Sequence, residues 1–221
     1  RLLEGLEISK SLVERTYEVI LDALCDGTFK PGERLTQEDI AARLKVSRQP
    51  VTHALMLLKS QGFLEPIGRR GLTVAAVAPE FIEALFQLRA AIEPLAVTLA
   101  TPRLTKATIA EGRALVKRGR RVVREGDSKA ILQADMDFHS FIYDLSGNPL
   151  IADTMRLHWH HQRRAMSQVL RSPAMQLAVW NEHANILDHM VDGRPGKAAE
   201  AMRRHLLDAS ERTKKLGLSA A

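Results

Sequence analysis

Apolar residues in the first stretch of the chain recur at helical spacing. Leu12, Tyr17, Ile20, Leu21 and Leu24 share one helix face, and the pattern stops at the turn-like GTFKPGERL. Thr36 followed by Asp39 has the spacing of a capping box and opens a short helix over Gln37 to Leu44. Ser47 can cap the next helix, which tolerates Pro50 in its first turn and carries Val51, Leu55 and Leu58 on one face up to Gly62. Phe63 to Pro66, the turn Gly68-Arg69-Arg70-Gly71 and Leu72 to Val74 then predict a small β-hairpin. After Ala75 to Pro79 the character changes: Gly and Pro thin out, and long amphipathic patterns predict helices near 80–101, 105–125, 127–146, 148–171, 174–191 and 196–216. Their breaks fall at Thr101-Pro102, Gly126-Asp127, Gly147-Asn148-Pro149, Ser172-Pro173 and Asp192 to Gly196.

The expected fold is therefore mainly α. Residues 1–76 form a winged helix-turn-helix domain, 77–79 a linker, and 80–221 an antiparallel all-α bundle of about six helices. The composition agrees: 221 residues at 45% hydrophobic and 26% charged lie in the ordinary globular range and exclude a mainly disordered chain. No apolar run is long and charge-free enough for a membrane span, and RLLEGLEISK lacks the form of a signal peptide. The lone Cys25 cannot form an intrachain disulfide. These features lead to the expectation of a soluble, cytoplasmic protein with no membrane partner.

Charge sharpens the picture. The chain carries 32 Lys and Arg against 26 Asp and Glu, which favours polyanion partners without proving one. Between Arg43 and Gly71 the bases Arg43, Lys45, Arg48, Lys59, Arg69 and Arg70 are opposed by Glu65 alone. On a recognition helix that begins at Ser47, the first turn projects Ser47, Arg48 and Gln49. Its free amides and positive dipole end suit phosphates. Arg48 can read guanine O6 and N7, and Gln49 can read adenine N6 and N7. Arg69 and Arg70 at the hairpin tip suit phosphate or minor-groove contact, while Arg34 and Lys45 fit phosphate positioning. A solvated basic face on an ordinary three-helix unit is the plainer alternative.

KPGERL, LKVSRQPVTHALMLLKSQGFLE and GRRGLTV, within roughly residues 10–76, closely resemble the winged-helix domain of the GntR family of bacterial transcription regulators. The resemblance implies DNA-contacting positions at Arg34, Arg43, Arg48 and Gln49 and a wing glycine at Gly71. One departure stands out. Thr52-His53 occupies the place of the family's usual Arg-Glu pair, so operator preference can differ from the common pattern.

A second constellation lies in the helical part. Asp135 and His139 are four apart on one helix and share a face, while His183 and His205 sit on later helices that a bundle can bring alongside. Spacing alone leaves each histidine open as a hydrogen-bonded core residue. Three imidazoles and a carboxylate together would suit Zn, Ni, Mn, Fe or Co. RAAIEPLAVTLA, DMDFHSFIYDLSGNPL, EHANIL and AMRRHL, over about 80–216, resemble the FCD effector-binding domain of FadR-type GntR regulators, with the helix count of the VanR-type subgroup. That likeness implies a divalent transition metal on Asp135, His139, His183 and His205. It also places Arg89 on the helix lining the cavity, where its guanidinium could clamp an effector carboxylate. An intrahelical bridge to Glu93 is the alternative for Arg89. Asn185 and Arg156 are further candidates for the pocket wall. His158, His160 and His161 cannot converge on one helix and read as a polar or interface face around Trp159.

The function expected is a dimeric transcription regulator, not an enzyme. It binds a pseudo-palindromic double-stranded operator, and a small organic acid at the metal pocket modulates its DNA affinity. Two alternatives remain open from the residues: a hydrolase-like metalloenzyme bearing a DNA-binding module, and a constitutive regulator with a structural metal.

Overall fold

The computed structural model of the chain describes residues 11–68, 71–169 and 173–217. It separates into two units, Arg1–Ala76 and Val77–Ala221.

In the first unit, α1 (Leu12–Cys25) starts at a reciprocal capping box, with the Glu14 amide donating to Ser11 Oγ and the Ser11 amide to Glu14. β1 (Arg34–Leu35) leads into α2 (Gln37–Leu44), whose Thr36 cap accepts from the Asp39 amide. Lys45 takes a left-handed conformation at φ 54°, which turns the chain sharply into α3 (Arg48–Ser60). β2 (Leu64–Ile67) and β3 (Gly71–Val74) complete the wing. The sheet has three strands in the order β1-β3-β2, all neighbours antiparallel, with Arg34 opposite Thr73 and Leu64 opposite Val74. The sequence pattern predicted only the hairpin, because a two-residue strand is too short to display alternation. Ile20, Leu24, Val51, Leu55, Leu58, Phe63 and Val74 bury the faces of α1, α3 and the wing in one core. That burial points the opposite face of α3 outward.

Among the described residues of the second unit, six α-helices follow one another: α4 (Pro79–Ala100), α5 (Lys106–Glu125), α6 (Ser128–Ser146), α7 (Pro149–Val169), α8 (Pro173–Val191) and α9 (Pro195–Gly217). A 3-10 turn, Thr101–Arg103, joins the first two. The mainly α architecture with a small winged sheet matches the sequence expectation. Pro stands at or near the start of several helices, where its missing amide hydrogen costs nothing. α4 lies against α9 and α6, α8 against α9 and α5, and α5 against α6. A Cβ at Gly119 would stand 2.1 Å from the Trp180 ring, so glycine is what lets α5 and α8 approach this closely. Trp180, Phe138, Ile142, Met155, Ile186 and Met202 form the centre of the core, and the inner faces of α4, α6, α8 and α9 place polar groups among them.

Candidate metal centre and candidate nucleic-acid interface

Those polar groups are Arg89 and Glu93 on α4 and three imidazoles. His139 from α6, His183 from α8 and His205 from α9 offer ligand atoms that all lie within 4.8 Å of one another, and all three are buried. His183 Nε2 is 3.3 Å from His205 Nε2. Asp135, one turn before His139, places Oδ1 3.6 Å from His183 Nε2 and 3.9 Å from His139 Nε2. Neighbouring ligands about 2.1 Å from one cation stand roughly 3–3.6 Å apart, so the spacing approaches that of a coordination shell.

The groups behind the imidazoles fix their tautomers. Glu182 Oε2 is 2.6 Å from His205 Nδ1, so Nδ1 donates to the carboxylate and the Nε2 lone pair faces the centre. Arg212 holds Glu182 with two hydrogen bonds of 2.8 and 3.0 Å. On the other side His139 Nδ1 is 2.8 Å from Glu93 Oε2. Glu93 Oε1 accepts from Tyr143 Oη at 2.8 Å and from Arg89 Nε at 2.5 Å. His183 differs. Among the described residues its Nδ1 is buried without a hydrogen-bond partner, and its ring stacks on Phe138 and meets Trp180 edge-on.

The electrostatics follow from burial. Burial pushes His183 well below the ordinary imidazole value, and the neighbouring His205 and His139 add to this. Burial lowers His205 as well, against the opposing hydrogen bond to Glu182. Both rings are thus kept in the neutral, metal-ligating form. Burial alone would raise Glu93, but Arg89 and then His139 overcome it and hold the carboxyl far below its usual range. Arg89 correspondingly stays cationic, because Glu93 outweighs the burial penalty. Three converging rings, two of them kept neutral, with a nearby carboxylate and carboxylates behind two of the rings, fit a divalent transition cation.

A small cavity of about 40 Å³ adjoins this cluster, and Phe86, Arg89, Asp135, Gln162, Trp180 and His205 are among its lining residues. A water needs on the order of 10–15 Å³ by such a measure, so the space suits a few waters or a small ligand. Arg89 makes the Glu93 bridge and also lines the cavity. Arg156 and Asn185 are not among the residues lining this cavity. Arg156 is exposed and bonds Asp153 and Asp144, and Asn185 lines a surface hollow whose wall also includes Glu182 and His205. Both side chains are exposed, on the outer faces of α7 and α8. His161 meets the Phe81 ring edge-on and lies outside the imidazole group. Glu93 and Glu182, by contrast, were not singled out as supports. Their signal is weak: Glu93 reads as the i+4 partner of Arg89, and Glu182 as a polar neighbour of His183.

In the first unit, Ser47 occupies the cap position of α3, yet its hydroxyl makes no cap hydrogen bond. The sequence expectation of a Ser47 cap therefore holds for position and not for bonding. Arg48 and Gln49 are exposed beside it, and Arg48 Nη1 lies 3.0 Å from Glu38 Oε1. Thr52 sets its hydroxyl within reach of Gln37 Oε1 and the Arg48 carbonyl, and His53 is exposed. The Arg43 guanidinium lies over the Phe29 ring at 5.2 Å, while Arg34 on β1 and Lys45 at the turn are exposed. A Cβ at Gly71 would stand 2.8 Å from the Ile67 backbone oxygen, which accounts for glycine at this point of the wing. Arg69 and Arg70 lie outside the described residues.

Residues 12–74 match the model of the bacterial regulatory proteins of the gntR family, and residues 84–208 match that of the FCD domain. The chain belongs to the GntR family and carries an FCD domain. An HTH-type transcriptional regulator in an unstable DNA locus of Streptomyces ambofaciens is 31% identical over 180 residues, covering 80% of this chain and 74% of that protein. The Nta operon transcriptional regulator of Aminobacter aminovorans is 34% identical over 133 residues, 58% of this chain and 60% of that one. The chain spans about three-fifths of the length of several curated relatives it matches. Among solved structures, Escherichia coli McbR/YncC superposes with a TM-score of 0.81 at 22% identity, covering 94% of this chain and 99% of that one; this likeness concerns the fold. These GntR and FCD relatives are regulators rather than enzymes. No helix among the described residues is long and apolar enough to cross a membrane.

Proposed function

We propose that the chain is a metabolite-responsive transcription regulator. As a homodimer it binds a pseudo-palindromic operator through α3 and the wing, and a small organic acid in the second unit changes its DNA affinity. The observation that carries this reading is the convergence of three buried imidazoles beside a small cavity that also holds a buried arginine.

In this reading Asp135, His139, His183 and His205 hold a divalent transition metal, which when bound supplies a Lewis-acidic site for a carboxylate oxygen. Arg89 takes the second oxygen in fork geometry, exchanging part of its interaction with Glu93 for the ligand. Glu93 and Glu182 keep the Nε2 lone pairs of His139 and His205 turned inward. Phe86 and Trp180 exclude bulk water from the cavity. In the first unit Arg48 and Gln49 read base edges, while Ser47, Arg34, Arg43, Lys45 and the wing residues Arg69, Arg70 and Gly71 position the phosphate backbone. An acid regulates DNA binding only to the extent that it prefers one of two arrangements of the protein; a tenfold preference supplies about 1.4 kcal/mol.

The test is operator affinity of the metal-replete chain, at fixed salt, against a panel of small organic acids. A shift produced by one acid and lost in Arg89→Ala supports the reading. If every acid leaves DNA affinity unchanged while chelation still lowers the melting temperature, the metal is structural and the regulator constitutive.

A further inference from the structure

A second hollow, of about 530 Å³, opens between α5 and α8 and shares no lining residue with the cavity beside the imidazoles. Arg113, Lys117, Arg120 and Arg124 line it, at helical spacings of four, three and four residues. They form a stripe about 16 Å long at the usual rise per residue. Two other arginines of α5 are neutralised: Arg118 pairs with Asp137 and Arg121 with Glu125. Among the described residues no ion pair forms for the four that face the hollow, and the bond of Arg120 goes to the neutral amide of Asn181. The floor is apolar, made by Val116, Ala184 and Leu187, and Asp188 is the one acidic residue lining it.

A volume within roughly 300–1,000 Å³, an apolar floor and convergent charged groups are the form of a small-molecule site. Uncompensated cations call for a multiply charged anion, and the floor calls for a flat or apolar body joined to it. A symmetric pairing of this face with a second copy would double the uncompensated positive charge. A duplex backbone needs cations but no floor.

We propose that this hollow binds a nucleoside polyphosphate. Its phosphates lie along Arg113, Lys117, Arg120 and Arg124, beside Asp188, and its base rests on Val116 and Leu187. The site is separate from the imidazole centre and does not depend on the metal reading.

The test is equilibrium dialysis of labelled ATP against the full chain at fixed ionic strength. One saturable site is expected, with affinity falling about tenfold or more in the Lys117→Glu/Arg120→Glu double variant. Asp188→Asn, which removes the anion facing the phosphates, should tighten binding several-fold, a gain that misfolding cannot mimic. Arg121→Gln should leave binding unchanged. Absence of saturable binding at millimolar ATP overturns the proposal, as does a double variant that binds like the parent chain. A loss confined to Arg48→Ala also overturns it, because that result places the nucleotide on the winged helix.

Discussion

The two units handle charge in opposite ways. In the first, Arg48 and Glu38 meet at the surface with more than half of each side chain exposed. In the second, Arg89 and Glu93 meet in the core with almost no exposure, together with His139 and Tyr143. An exposed pair of the first kind contributes about 0.2–1 kcal/mol, and Arg48 can leave Glu38 for a nucleic acid at little cost. In the buried pair each partner depends on the other, because a single charge left in the core is strongly unfavourable. The outer face of the winged unit is thus free to exchange partners, whereas the helical unit is committed to holding an ionic cluster in place.

This contrast can be broken most forcefully at Glu93. Glu93→Ala should destabilise the second unit by about 3–5 kcal/mol, read from urea unfolding, since it strands Arg89 and frees His139 Nδ1. The Arg89→Met/Glu93→Leu double variant should lose less than the single one. An equal loss in both would mean that packing rather than charge sets the cost.

A smaller effect is expected behind the other ring. Glu182→Gln weakens the acceptor that fixes His205, and metal affinity should fall by about 10–100-fold in a calorimetric titration, with operator affinity of the ligand-free chain unchanged.

Comparable in size, on the opposite unit, Arg48→Ala should cost about 1–3 kcal/mol at one base position of the operator and leave urea stability within about 0.5 kcal/mol. A loss uniform across sequences would instead make Arg48 a phosphate contact.

Acid should act on the second unit first. Burial keeps His183 and His205 below the ordinary imidazole value, so the unfolded chain takes up protons before the folded one. Their effect on stability is therefore constant above about pH 6.5 and becomes increasingly unfavourable as pH falls below it. Burial pushes Glu182 up, but hydrogen bonds from His205 and Arg212 bring it down to about 2, so its contribution persists until the pH drops below the ordinary carboxylate range. Urea midpoints of the metal-free chain between pH 8 and 5 check this; a profile that stays flat through pH 6 would contradict it.

The smallest effect belongs to Ser47. Replacing an N-cap serine usually costs about 1 kcal/mol, but this hydroxyl makes no cap bond. Ser47→Ala should leave thermal stability nearly unchanged while weakening DNA binding slightly.

The contrast also explains what the sequence made legible. The helices of both units announce themselves, because amphipathic periodicity and breaks such as Gly126-Asp127 and Gly147-Asn148-Pro149 are local. The convergence of His139, His183 and His205 is a tertiary fact that spacing left open and the family likeness implied. The exposed positions of Arg156 and Asn185 were not legible, because helical periodicity alone does not specify which face of α7 or α8 is turned toward the cavity. The contacts of Glu93 to His139 and of Glu182 to His205 were not legible for the converse reason: each joins two helices, and nothing in the chain's periodicity marks that pairing. β1 was missed because two residues cannot show alternation, and its place is set by pairing with β3.

The most direct trial of the account is titration of nickel or zinc into the metal-stripped chain. One ion per chain should bind, with binding abolished in His183→Ala and undiminished in Arg48→Ala. An absence of stoichiometric binding, or a His183→Ala variant that binds as tightly as the parent, would contradict it.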